Sequence, residues 1–182
     1  MLANLSLKSL VQPPRTAMAV FKMMPEGTLA EVIDNQLYMS PAPNPYHQRV
    51  SIRLSSALFN LVEGNNLGEV FSAPTDLYFD DESNAVQPDI FFFTHDRNII
   101  IDSNGIHGTP DLIIEILSPG NKSYDLKKKR DLYEKFGVKE YWVVDPDTKV
   151  SKGFHLVKKQ FQSIGNFKGK IKSVLLNNEF KF

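Results

Sequence analysis

The chain has 182 residues, of which 42% are hydrophobic and 11% aromatic, so its composition is that of one folded domain with a sizeable core and excludes a disordered chain. It contains no cysteine, which excludes disulfides and zinc–thiolate sites and fits a cytoplasmic location. The net charge is zero, but residues 1–121 carry 6 Lys/Arg against 14 Asp/Glu, whereas residues 122–182 carry 15 against 7. This asymmetry is typical of a surface that meets phosphates and equally of a solubilising surface.

The predicted elements begin with an arm, a hairpin and a helix. Residues 1–25 are poorly patterned and interrupted by prolines, so we expect an irregular N-terminal arm before a single domain over residues 26–182. LAEVIDNQLYMS (29–40) is typical of a hairpin that turns at its Asp-Asn pair. Apolar side chains recur at helical spacing from about Tyr46 to Glu63 and predict a helix there.

Strands and one further helix fill the rest of the chain. The strand-like runs are GEVFSAPTDLYFD (68–80), QPDIFFFT (87–94), PDLIIEIL (110–117) and EYWVVD (140–145), with a turn-rich stretch, DSNGIHGT, before the third. Residues 123–136 predict a helix that ends at Gly137, and the tail predicts more strands with turns at Gly153, Gly165 and Asn177-Asn178. This order predicts a mixed α/β or α+β domain around one central sheet.

Common catalytic motifs are missing from the sequence. It has no HExxH, GxSxG or GxGxxG pattern, and its four histidines are scattered. GNFKGK (165–170) resembles a phosphate-binding loop only loosely, because its glycines are one residue too close and no Ser or Thr follows the lysine. Serine-triad acyl transfer and dinucleotide chemistry are therefore disfavoured.

Two acidic residues are attached to strands that otherwise look buried. Asp89 begins DIFFFT directly after a proline, and Glu115 interrupts LIIEIL, where it shares one face of the strand with Ile113 and Leu117. A buried charge is costly unless it is paired or binds a metal. An ion pair with an arginine or capping by backbone N–H groups would explain Glu115 structurally, and turn chemistry would explain Asp89.

The next predicted helix carries a lysine on its apolar side. At about 100° per residue, Lys127 and Lys128 point away from the apolar stripe, and Arg130 lies at its margin. The stripe itself consists of Leu126, Lys129, Leu132, Tyr133 and Phe136. Lys129 is therefore predicted to face inward, with its ammonium group either in the interior or reaching to the edge.

Two carboxylates and one inward lysine form a coherent chemical set. Carboxylate oxygens suit Mg²⁺ or Mn²⁺, hard cations that keep waters and also bind substrate phosphate oxygens. Such a cation activates water for attack on phosphorus, and a nearby lysine can orient or deprotonate that water and offset negative charge. Asp89, Glu115 and Lys129 are therefore candidate catalytic residues, provided that they converge.

Several stretches of the sequence together form a specific pattern. They are EVIDNQLYMSP with HQRV, GEVFSAPTDLYFD, VQPDIFFF, PDLIIEILSP and DLKKKRDLYEKFGVKEYWVVDP. This pattern resembles the PD-(D/E)XK nuclease superfamily, and most closely its Uma-two family of restriction-endonuclease-like proteins. The resemblance covers about Leu29 to Asp147 and, less firmly, the tail. It implies a restriction-endonuclease-like fold, with an αβββαβ core, a central mixed sheet and an extra N-terminal hairpin.

The resemblance also implies a Mg²⁺- or Mn²⁺-dependent phosphodiesterase site. Asp89 and Glu115 match the two metal-binding carboxylates of the family motif. The lysine that the superfamily usually carries two residues after the glutamate is missing, since Leu117 stands there, and Lys129 matches the lysine that the Uma-two pattern carries on the next helix. Glu31 resembles an additional family acid and is predicted to be an accessory metal ligand.

Gln87 and His47 also match family positions and are assigned supporting roles. A hydrogen bond in a turn explains Gln87 equally well, and a polar residue in the first turn of a helix explains His47 equally well.

The favoured function is a metal-dependent endonuclease acting on DNA, and the main alternative is a nuclease-like fold that binds nucleic acid or protein without cleaving. A structural subunit of a larger assembly, indicated by the aromatic runs IFFF and EYW, also stays open. The expected partners are DNA and a second copy of the chain in a homodimer. Association with a membrane is not expected.

Overall fold

The computed structural model describes residues 13–118 and 125–182. Its helices are α1 (Ala17–Phe21), α2 (Pro45–Gly64) and α3 (Arg130–Phe136), and a π-helical turn (Asp125–Lys129) leads directly into α3. None of these described helices combines the length and the apolar character needed to span a membrane. The strands are β1 (Ala30–Ile33), β2 (Gln36–Met39), β3 (Gly68–Ser72), β4 (Leu77–Asp80), β5 (Asn84–Val86), β6 (Ile90–Thr94), β7 (Ile100–Asp102), β8 (Gly105–His107), β9 (Leu112–Ile116), β10 (Glu140–Val144), β11 (Val150–Val157), β12 (Gln160–Lys168), β13 (Lys170–Ser173) and β14 (Asn178–Lys181).

A six-stranded mixed sheet forms the centre of the molecule. Its strand order is β12-β11-β10-β9-β6-β3, in which β9 and β10 are parallel and the other neighbours are antiparallel. A parallel pair needs a crossover connection, which here includes the π-helical turn and α3. The chain order α2-β3-β6-β9-α3-β10 is the αβββαβ core that the family resemblance implied.

A second six-stranded sheet, β2-β1-β5-β4-β8-β7, is built on the predicted N-terminal hairpin. β1 and β2 pair up to Ile33 and Gln36, and the two turn residues, Asp34 and Asn35, have φ angles of 48° and 56°. Such left-handed angles are what a tight two-residue hairpin requires. The sequence had predicted one central sheet and only turns at DSNGIHGT, but that stretch holds β8 and the end of β7 because its backbone pairs with the distant β4.

The two faces of the central sheet are covered by separate hydrophobic clusters. Phe91, Phe93 and Tyr141 belong to one cluster, whereas Phe92 and Trp142 belong to the other. This division follows from the alternation of side chains along a strand. The aromatic runs IFFF and EYW are therefore used in the core of this chain, and they no longer support a structural subunit of a larger assembly.

The described part of the predicted N-terminal arm is more ordered than the sequence indicated. Ala17–Phe21 form α1, whose N-cap is Thr16, and Met18 and Phe21 are buried. The ring of Phe21 packs edge-on against Tyr78 of the second sheet, with ring centroids 6.1 Å apart. Residues 1–12 of the predicted arm and residues 123–124 of the predicted second helix lie outside the described residues.

Two glycines that were predicted to mark turns lie inside strands. Gly153 of β11 is paired with Gly165 of β12, and the turn between these strands falls at Lys158 and Lys159, with φ angles of 50° and 65°. A Cβ atom on Gly153 would lie 2.4 Å from the ring of Trp142. Close packing against that ring, rather than chain reversal, therefore requires the glycine.

Candidate active site

Asp89 and Glu115 lie where two neighbouring strands of the central sheet separate. The antiparallel register pairs Ile90 of β6 with Ile114 of β9, so the next row brings Asp89 opposite Glu115. The backbone N–H of Ile116 donates a hydrogen bond of 2.7 Å to Oδ2 of Asp89, which holds this carboxylate against the end of β9. Strand pairing thus brings the two predicted carboxylates together.

His47 supports Asp89 from the first turn of α2. The side chain of the N-cap residue Asn44 accepts a hydrogen bond from the backbone N–H of His47 at 2.9 Å. The ring nitrogen Nε2 of His47 lies 3.1 Å from Oδ1 and 3.2 Å from Oδ2 of Asp89. An ionised carboxylate only accepts hydrogen bonds, so Nε2 is the donor in this contact. The other ring nitrogen, Nδ1, is buried and has no hydrogen-bond partner among the residues that the structure describes.

Lys129 joins two buried glutamates. Its Nζ lies 2.9 Å from Oε1 of Glu115 on β9 and 2.9 Å from Oε1 of Glu31 on β1. All three residues are at most 5% exposed, whereas Lys127 and Lys128 are exposed, as the apolar stripe predicted. The side chain of Leu126, also assigned to that stripe, lies outside those described. The ammonium group offsets the cost of burying two carboxylates.

Tyr133 is a member of this network that sequence reasoning did not assign to the site. Its hydroxyl donates a hydrogen bond of 2.6 Å to Oε1 of Glu115. Burial, together with the nearby charge of Glu115, raises the pKa of Tyr133 well above its usual value, so the phenol stays a neutral donor. The sequence held a signal for it, since Tyr133 follows Lys129 by four residues and therefore lies on the same face of a helix.

Gln87 connects Glu31 to neighbouring loops. Its backbone N–H donates to Oε1 of Glu31 at 2.9 Å, and its side-chain nitrogen donates to Oδ1 of Asp76 at 2.7 Å and to the carbonyl of Thr28 at 3.0 Å. Burial raises the pKa of Asp76 despite the hydrogen bond from Gln87. The contacts of Gln87 match the structural explanation, a hydrogen bond in a turn, and Asp76 is a neighbour that the sequence did not indicate.

All the predicted site residues line one cavity between the two sheets. Its volume is about 90 Å³, which is large enough for several water molecules. The predicted residues in its wall are Glu31, His47, Gln87, Asp89, Glu115 and Lys129. Within residues 13–118 and 125–182, no group of three or more His, Cys, Asp or Glu side chains is arranged to hold a metal ion. A cation in this cavity would therefore depend on fewer side chains and on retained waters, which is the coordination that Mg²⁺ accepts.

The αβββαβ core, with an acidic, lysine-containing cavity between its central sheet and the second sheet, defines a restriction-endonuclease-like protein. The model of the Uma2 family, described as "Putative restriction endonuclease", matches residues 18–177, so the chain belongs to this family. The predicted family resemblance is thereby confirmed.

Among solved structures, the chain is similar to a putative nuclease belonging to DUF820 from Anabaena variabilis. The two share 23% sequence identity over 82% of this chain and 84% of that chain, with a TM-score of 0.67. This likeness confirms the predicted fold. Among curated proteins, none matches this chain.

Proposed function

We propose that this protein is a cytoplasmic, divalent-metal-dependent endonuclease that hydrolyses DNA phosphodiester bonds. The observation that carries the proposal is that Asp89, Glu115 and Lys129, which lie far apart in the sequence, line one cavity. Membership of a family described as "Putative restriction endonuclease" supports the reaction class.

The donor set of the cavity suits Mg²⁺ or Mn²⁺, because its side chains offer carboxylate oxygens and no thiolate. Asp89 and Glu115 are the proposed ligands. Glu31 is the proposed accessory ligand, which would reach the cation only after its oxygen leaves Lys129. A bound cation would supply Lewis-acid chemistry, since it makes water a better nucleophile and neutralises charge on the phosphate.

Each protein residue then has a defined task. Lys129 orients the attacking water and places positive charge beside the phosphate oxygens. Tyr133 and Glu31 keep the ammonium group and Glu115 in position, and His47 does the same for Asp89. The water oxygen forms a bond to phosphorus while the bond to the leaving oxygen breaks, so the water loses one proton and the leaving oxygen gains one.

The test is a nicking assay on supercoiled DNA with Mg²⁺ or Mn²⁺. Glu115→Gln keeps the size and an acceptor oxygen of the side chain but removes its charge, so we expect cleavage to fall by about 100-fold or more. Glu69→Gln, an exposed carboxylate change on the edge strand β3, should leave cleavage unchanged. Equal cleavage by wild type and a folded Glu115→Gln variant would assign the activity to a contaminant and overturn the proposal.

A binding protein without cleavage is the second candidate. It is favoured by the contacts of Lys129, because the ammonium group is bonded to both Glu31 and Glu115 and so competes with a cation for their oxygens. Calorimetric titration with Mn²⁺ separates the two candidates. A nuclease should bind Mn²⁺ and lose that binding in Asp89→Asn, whereas the silent fold should give no Mn²⁺ binding that depends on Asp89.

A further inference from the structure

A second, larger cavity also lies along α2. Its volume is about 570 Å³, compared with about 90 Å³ for the candidate active site. Val50, Pro146 and Phe182 are its buried apolar lining residues. Its other lining residues are Tyr46, Arg49, Arg53, Asp147 and Lys149. The cavity therefore combines an apolar floor with a cationic and aromatic rim.

The cations of this rim come from two elements. Arg49 and Arg53 are four residues apart on α2 and share one face of the helix, and both are exposed. Lys149 belongs to the turn between β10 and β11. Tyr46 is 58% exposed, and the guanidinium carbon of Arg49 lies 5.8 Å from the centroid of its ring. Two planar guanidinium groups and an open aromatic ring thus face the same space.

Among the residues that the structure describes, the charge balance of the rim is positive. In the described part of the chain, Arg49, Arg53 and Lys149 form no ion pair with a carboxylate. Asp147 is the acidic side chain in the lining, so three cationic side chains face one acidic side chain. An excess of unpaired cations around a concave surface attracts an anionic ligand.

The position of the rim relates it to the candidate active site. Tyr46 directly precedes His47, whose side chain lines the catalytic cavity. From Tyr46 the rim continues to Arg53, about 10 Å further along the helix at 1.5 Å per residue. The first turn of α2 therefore contributes to both cavities.

We propose that this second cavity binds the DNA strand next to the phosphodiester that is cut. Arg49, Arg53 and Lys149 contact backbone phosphate oxygens, which guanidinium groups bind in a bidentate manner, and the ring of Tyr46 stacks on a base. The identity of the ligand rests on the proposed nuclease function. These contacts carry no information about base sequence, so the cavity supplies affinity and register rather than specificity.

The test measures the binding of fluorescently labelled single-stranded and duplex DNA by anisotropy in EDTA, where metal-dependent cleavage is excluded. The variant is Arg49→Gln with Arg53→Gln, because glutamine removes the charge and keeps helix propensity. The matched control is Lys158→Gln, an exposed lysine in the turn at the far end of β11, which removes one cation that also lacks a carboxylate partner in the described residues.

We expect the double variant to weaken binding by about 10-fold, and the slope of log K against log salt to decrease in magnitude by about 2. Lys158→Gln should bind as the wild type does, and Tyr46→Ala should weaken single-stranded DNA more than duplex. Unchanged affinity and slope in the double variant would overturn the proposal, and so would a wild type that binds no DNA. A third outcome separates the two proposals. If the wild type binds DNA in a salt-dependent way, loses this binding in the double variant and never cleaves, the strand-binding cavity is supported and the proposed hydrolysis is rejected.

Discussion

Lys129 places one positive charge between two buried carboxylates, and its Nζ lies 2.9 Å from an oxygen of both Glu31 and Glu115. Such an arrangement depends on its central charge, since removal of one partner leaves the remaining charges buried without compensation. The lysine was predictable from its position in an apolar helical stripe, but its two partners were not. One comes from each sheet, so no local pattern contains both.

Lys129→Met tests this dependence because it keeps most of the side-chain volume and removes the ammonium group. We expect the free energy of unfolding at neutral pH to fall by about 3–5 kcal/mol, as measured by urea denaturation. Lys127→Met, a change at an exposed neighbour, should alter it by no more than about 0.5 kcal/mol. Equal stabilities of the two variants would show that Glu31 and Glu115 do not need the ammonium group.

At the scale of elements, Asp111 ties the start of β9 to its neighbours. Its Oδ2 accepts hydrogen bonds of 2.9 Å from both the N–H and the hydroxyl of Thr94 at the end of β6. Arg97 and Lys139 each bring a side-chain nitrogen to 2.8 Å from Oδ1. Burial by itself would raise the pKa of Asp111, but these donors outweigh it and lower the pKa from 3.8 to about 2.

A carboxyl group whose pKa is lower in the folded state than in the unfolded state stabilises the protein at pH values above the unfolded-state pKa. This stabilisation is lost as the pH falls through the folded-state pKa. The shift from 3.8 to about 2 corresponds to about 2 kcal/mol. Asp111→Asn should therefore lower the free energy of unfolding by about 2 kcal/mol at pH 6. This difference from the wild type should shrink between about pH 4 and pH 2. Urea denaturation across this range measures it, with the exposed Asp131→Asn as control. A difference that is constant with pH would contradict the assignment.

The contact between β10 and β11 has its own requirement. Gly153 is paired with Trp142, whose side chain is fully buried and leaves no space for a methyl group. Gly153→Ala should lower the free energy of unfolding by about 1–3 kcal/mol, because the indole ring or the strand must move. Gly64→Ala, at the end of α2 with no atom within 4 Å of the added carbon, should be neutral or slightly stabilising in the same denaturation experiment. A tolerated Gly153→Ala would mean that the Trp142 ring is free to repack.

At the scale of the whole molecule, the candidate active site lies between the two sheets. Glu31 is on β1 of the second sheet, and Glu115 is on β9 of the central sheet. A cation bound to Asp89 and Glu115 would be bound only by the folded chain, so binding couples to the free energy of unfolding. The proposed metal dependence therefore has a consequence that does not require cleavage.

Mn²⁺ at about 100 times its dissociation constant should raise the free energy of unfolding by about 2.7 kcal/mol. Asp89→Asn should abolish this gain, whereas Glu69→Gln, a change at an exposed residue of β3, should retain it. The measurement is urea denaturation with and without Mn²⁺. A gain of the same size in Asp89→Asn would place the binding of Mn²⁺ elsewhere on the protein.

The sequence by itself determined the long helix, the N-terminal hairpin, the main strands and the inward position of Lys129. Hydrophobic periodicity and turn residues record which side of each element is buried, and this information is local. Their places in buried-looking strands also made Asp89 and Glu115 candidates, and the family pattern added Glu31. Neither source gave the distances between these residues.

Only the tertiary structure decided which of these residues meet. The second sheet, the in-strand positions of Gly153 and Gly165, and the hydrogen bond from Tyr133 to Glu115 all depend on contacts between distant parts of the chain. Strand register and helix docking create such contacts, and a local pattern cannot specify them because it does not record which strand becomes the neighbour. The sequence therefore predicts that the charge of Glu115 needs a compensating partner. Only the fold brings Lys129 and Tyr133 into contact with it.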